Sequence, residues 1–205
     1  MQDLDKALAE INAIRSQMAR DTQFHGYGAA TFVATGLLAA AAAGAQAIWL
    51  PHPTLNAPAY LTLWVVVAAA SIAMIGLEMV LRTRRIHTGL ADEMIHAAVE
   101  HFLPAAVSGA LLTLVMVRVA PASLWMLPGL WQMIFGLGVF ASCQFLPRPI
   151  VWVGVWYVGA GLASLALGGG PQTFAPWVMG APFAIGQLAV AAILHATSRD
   201  DHGRG

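Results

Sequence analysis

One stretch of this chain gathers most of the side chains able to bind a metal or move a proton. It runs EMVLRTRRIHTGLADEMIHAAVEH and holds Glu78, His87, Asp92, Glu93, His96, Glu100 and His101. If the segment from Leu90 to Phe102 is helical, Glu93, His96 and Glu100 share one face, because three and four positions separate them. Glu-x-x-His is the spacing that di-iron carboxylate bundles use twice, with further glutamates from other helices. Here it occurs once, from Glu93 to His96. Glu78 would add a carboxylate, and His101 or His25 a nitrogen. Zn or Fe accepts such ligands. The plainer reading is a solvated face with local ion pairs, Glu78 with Arg82 and Glu93 or Glu100 with histidine. Haem fits poorly, because no two histidines fall in the middle of two apolar stretches.

The elements that must position these residues are apolar. The chain is 59% hydrophobic and 10% charged, with a mean hydropathy of +0.70. Soluble domains carry roughly 25% charged residues. Six stretches approach the roughly 20 apolar residues that a spanning helix needs. They are Ala29–Leu50, Ala59–Leu81, Leu103–Val119, Gly129–Leu146, Ile150–Leu167 and Phe174–Leu194. The sequence predicts an all-α polytopic membrane protein of six transmembrane helices, preceded by an amphipathic cytoplasmic helix. Residues 1–28 form that helix and a linker. Residues 29–196 form the bundle, with a cytoplasmic segment at 82–102, and residues 197–205 are a tail. The opening segment carries Asp3, Asp5, Lys6, Glu10, Arg15, Arg20 and Asp21. This is unlike a cleavable signal peptide, which places a short apolar core there.

Arginines orient the spans. Lys6, Arg15 and Arg20 precede the first, Arg82, Arg84 and Arg85 follow the second, Arg148 follows the fourth, and Arg199 and Arg204 end the chain. With six spans these regions share one side. The opposite connections, Pro51–Pro58, Pro121–Pro128 and Gly168–Pro171, have neither Lys nor Arg. Basic loops stay in the cytoplasm, so both termini are expected there, in a bacterial inner membrane. Trp49, Trp125 and Trp177 fall near the outer ends, the level that indole rings favour. Trp152, Trp156 and Tyr157 pack between helices or face lipid.

Leu4, Leu8, Ile11, Ile14 and Met18 recur at spacings of three and four, giving the N-terminal helix one apolar stripe. Its other face is mixed in sign, whereas helices on anionic lipid carry a basic face. The stripe suits docking on the bundle or on another subunit, with the membrane surface as the competing partner. Within the spans, Gly129, Gly136, Gly138, Gly154, Gly159, Gly161, Gly180 and Gly186 should let helices approach closely. Gln132, Gln144 and Gln187 are the intramembrane amides, expected to bond across helices, Gln132 with Gln187 among the options. Pro128 and Pro182 read as first-turn prolines. Pro104 either caps the third span or kinks a longer helix starting near Leu90. His195 reads as a positive cap at the end of the last span. Cys143 reads as a small buried residue.

Ile11, Ile14, Arg15, Met18, Thr22, Phe24, Gly26 and Gly28 lie in the run LAEINAIRSQMARDTQFHGYGAATFVATGLLAA. This run resembles the start of a family of uncharacterised bacterial six-helix inner-membrane proteins. In that family an amphipathic helix leads through an aromatic and glycine segment into the first span. The resemblance brings no assigned activity. Family members accompany small winged-helix regulators, which implies a signalling or regulatory role.

The zero formal charge gives no support to direct nucleic-acid binding. No Walker loop, dinucleotide fingerprint, HExxH or GxSxG occurs. The expected function is interaction, sensing or regulation in the membrane, as a homo-oligomer with a cytoplasmic protein partner. The alternatives are a metal-binding membrane protein or enzyme built on Glu78, Glu93, His96, Glu100 and His101, and a small-molecule transporter or channel.

Overall fold

A computed structural model describes residues 28–83, 89–143, 146–170 and 172–202, with backbone alone at 79, 82, 83, 89–99 and 198–202. The described residues form six α-helices: α1 Ala29–Trp49, α2 Ala57–Thr83, α3 Gly89–Val119, α4 Leu127–Ser142, α5 Ile150–Ala166 and α6 Pro176–His202. Five segments are long and apolar enough to cross a membrane, and α5 is a shorter apolar helix of 17 residues. The N-terminal stripe from Leu4 to Met18, and Gln144, lie outside the described residues.

Proline and small polar residues set the helix ends. Pro51 and Pro53 follow α1, where an N–H must be missing and the chain cannot continue helically. Asn56 opens α2, its side-chain oxygen accepting from the Ala59 N–H at 3.3 Å. A 3₁₀ helix, Pro121–Met126, runs directly into α4, which carries Pro128 in its first turn. The region expected as an outer loop is thus helical. Beyond α5, Gly168 takes φ +66°, the left-handed conformation that glycine adopts without strain. The Thr173 hydroxyl meets the Gly168 and Gly170 carbonyls and closes that turn.

Two sequence expectations about proline and histidine change here. Pro104 lies inside the continuous helix α3. Pro182 is not in a first turn: α6 already begins at Pro176, so Pro182 is interior. His195 is not at a helix end either, because α6 continues to His202.

Successive helices alternate in direction. α1 packs most extensively on α6, and α4 on α5, while α2 and α3 scarcely touch each other. The tightest seam is α4 on α5. A Cβ on Gly161 would stand 2.6 Å from the Gly129 carbonyl oxygen, and one on Gly136 would stand 3.0 Å from that of Gly154. Both pairs recur at a spacing of seven, in opposite directions, so glycine faces glycine along two turns. Where lipid supplies no drive for association, such close backbone approach maximises dispersion contact. Gly36 against the Ala184 carbonyl, and Gly180 against Ala43, make the same kind of seam between α1 and α6. Gly159, expected with the others to pack, does not: nothing lies within 4 Å of a Cβ there.

Two clusters fill the interior. Near the Trp49 end, Tyr60, Trp64, Met116, Leu127, Phe174 and Met179 are buried together. Deeper in the bundle, Phe135 sits 4.6 Å from Tyr157, 5.3 Å from Phe183 and 5.4 Å from Phe102, ring centre to ring centre. Tyr157 is therefore a core residue, whereas Trp152 is 71% exposed.

Candidate functional site

Glu78 ends the inward stripe of α2, which Trp64, Val67, Ser71 and Met74 begin at spacings of three and four. That register carries its carboxylate to Gly28, the residue immediately before α1. A Cβ on Gly28 would collide with Glu78 Oε1 and stand 2.9 Å from the carboxyl carbon. Gly28 has φ −81°, which any residue adopts, so a side chain there would act only by displacing the Glu78 carboxylate. The first turn of α1 contains no acidic residue, and Gly28 offers no side-chain cap. Glu78 places a negative charge beside that uncompensated N-terminus, where the helix dipole favours it.

Of the other residues in the expected metal set, Glu93 and His96 lie on the α3 backbone with their side chains outside the described residues. Glu100 is exposed and His101 half-buried. Among the described residues no three His, Cys, Asp or Glu side chains come together to hold a metal ion. The expected ion pair of Glu78 with Arg82 also falls outside the described side chains.

Polar groups within the bundle are used as staples. Gln132 on α4 is fully buried. Its Nε2 donates to the Val178 carbonyl at 2.7 Å, and the Ser164 hydroxyl of α5 lies 3.4 Å from its Oε1. In a regular helix the Val178 carbonyl would accept from the N–H of residue 182. That residue is Pro182, which has none. Gln132 thus replaces the missing donor and accounts for an interior proline in α6. Left bare in hydrocarbon, such a carbonyl would cost several kcal/mol.

Gln187 of α6 is 7% exposed and faces α1. The Thr35 hydroxyl donates to the Phe32 carbonyl at 3.0 Å and lies 3.4 Å from Gln187 Oε1. Gln132 and Gln187, expected as possible partners, bond elsewhere because they face different neighbours, α5 and α6 for one and α1 for the other. The Tyr157 hydroxyl lies beside Gln187 but outside hydrogen-bonding geometry. It is packed on Gly186, which has no room for a Cβ.

A further amide, Gln46, went unread in the alanine-rich first span. It is fully buried. Its Nε2 donates to the Phe174 carbonyl at 2.7 Å, and its Oε1 accepts from Trp64 Nε1 at 2.9 Å. One side chain thereby ties α1 to α2 and to the connection before α6. Its signal in the sequence is simple: a lone amide four residues before the end of an uncharged apolar span.

The fold and these staples define a class: an all-helical bundle of apolar helices, its buried amides satisfied between helices. No family model, curated protein or solved structure matches the chain.

Proposed function

We propose that the chain is an integral protein of the bacterial inner membrane, with six spans and both termini in the cytoplasm. It acts there by interaction, sensing or regulation, and its working surface is cytoplasmic. One observation carries this reading: Glu78 and Gly28 touch. Gly28 is where residues 1–28 enter α1, and Glu78 stands just before the Arg82 to His101 segment. The two polar segments therefore join the bundle at neighbouring points. A change in one segment would reach the other through the Glu78 carboxylate and the start of α1. The buried amides support a scaffold in preference to a transport path, because Gln46 and Gln132 each spend their polarity on a neighbouring helix or connection.

Deleting residues 1–20 tests the proposal. The truncated chain should still resist carbonate extraction from membranes but should lose recovery of its cytoplasmic protein partner in a pull-down. Unchanged recovery would remove the N-terminal segment from the working surface.

A further inference from the structure

Between α5 and α6 lies a groove of about 580 Å³, open on its outer side. Val155, Gly159, Ala163 and Leu167 form its α5 wall, at successive spacings of four. Trp177, Ala181 and Ile185 form the α6 wall at the same spacing. Small residues make the groove: Gly159 leaves open space where a side chain would stand. One end is held by Trp156, whose indole N–H donates to the Pro182 carbonyl at 3.0 Å. Ser164, the one hydroxyl on the lining, already donates to the Ala160 carbonyl at 2.9 Å. The surface offered to an occupant is thus apolar.

We infer that this groove is a binding site for one acyl chain of a phospholipid in the outer leaflet. The inference rests on the membrane-spanning reading above. Length is the first argument. The α5 wall, Val155 to Leu167, rises about 18 Å and the α6 wall, Trp177 to Ile185, about 12 Å at 1.5 Å per residue, against about 15 Å for half of a 30 Å hydrocarbon core. The groove spans one leaflet and stops. Size is the second. A spanning helix from a second copy is roughly 30 Å long, longer than either wall, so it would run well past the groove. A single extended alkyl chain of one leaflet matches the length of the groove. Charge is the third. No lining residue is ionisable, and the connection from Gly168 to Pro171 beyond the Trp177 end has no Lys or Arg. The site therefore selects the chain and is indifferent to a negative headgroup.

Titration of the intact, detergent-solubilised protein with phosphatidylcholine brominated on its acyl chains tests this, because bromine quenches Trp156 and Trp177. Quenching should saturate near one lipid per chain, and equally so with brominated phosphatidylglycerol. Gly159→Leu fills open space, so folding should survive and lipid binding should weaken about tenfold or more. Gly159→Ala should bind as the parent does. Quenching that rises without saturation, or binding unchanged in Gly159→Leu, would overturn the site. If Gly159→Leu instead breaks an oligomer without altering lipid binding, the groove seats a second copy and the inference fails. Should Gly159→Leu not fold, the titration of the unaltered protein still decides. Extraction of the protein by carbonate would instead overturn the membrane reading itself, which this titration in detergent does not address.

Discussion

The Gln132 side chain stands in for the backbone N–H that Pro182 lacks, donating to the Val178 carbonyl at 2.7 Å. An interior proline costs a helix about 3 kcal/mol or more, part of it from the orphaned carbonyl. Gln132→Leu should destabilise the bundle by about 1–3 kcal/mol, the usual cost of leaving one buried polar group unpaired. Pro182→Ala restores an N–H at that position. The two changes should therefore be strongly non-additive in a double-mutant cycle, read by reversible unfolding in mixed micelles. A Gln132→Leu cost that is the same in both backgrounds would show that the amide is not serving the proline.

The two kinds of glycine in α5 should behave oppositely. Gly161→Ala puts a methyl group 2.6 Å from a backbone oxygen of α4. Backbone cannot yield as a flexible side chain can, so a loss of about 1–3 kcal/mol is expected. Gly159→Ala meets nothing within 4 Å. It should be neutral or stabilising by up to about 1 kcal/mol, since alanine is the better helix former. Melting of the two variants side by side settles the comparison.

At the other end of the bundle, Gly28→Ala should act by pushing the Glu78 carboxylate away. The expected loss is about 0.3–1 kcal/mol, the range for a charge at a helix terminus, and salt should reduce it. Glu78→Gln should cost a similar amount. In combination the second change should add little to the first. Fully additive losses would mean that the two residues matter for separate reasons.

Orientation is accessible through the chain's single cysteine, Cys143. With Cys143→Ser as background, His52→Cys should react with a membrane-impermeant thiol reagent on intact cells. Arg204→Cys should react only after permeabilisation. Labelling of both from outside would contradict a cytoplasmic C-terminus.

Elemental analysis separates the scaffold reading from the metal-binding alternative. Gently purified protein should carry no stoichiometric Zn or Fe, and Glu93→Ala with His96→Ala should leave its stability unchanged. One metal ion per chain, lost in that double variant, would replace the reading.

Much of the architecture was legible in the sequence because hydrocarbon makes a simple demand: every backbone polar group must find a partner within the protein, most simply in its own helix. Long apolar runs therefore meant helices, and Pro51 and Pro128 marked two of their ends. Most of the span glycines read as packing residues for the same reason, although Gly159, identical in its local pattern, faces open space. What failed depended on neighbours. Pro182 looked like a helix start because nothing local reveals that Gln132 will supply its missing hydrogen bond. His195 looked terminal because apolarity ends there, although the helix does not.

The residue pattern alone determined that this chain is built of apolar helices with its charges gathered in a few short regions. Local composition decides that, through the cost of exposing backbone and charge to lipid. Only the tertiary structure decided which helices meet, that Gln132 serves Val178 while Gln187 faces Thr35, and that Glu78 lies on Gly28. Those pairings depend on the crossing of helices distant in sequence, and a glutamine or glycine carries no mark of the surface it will meet.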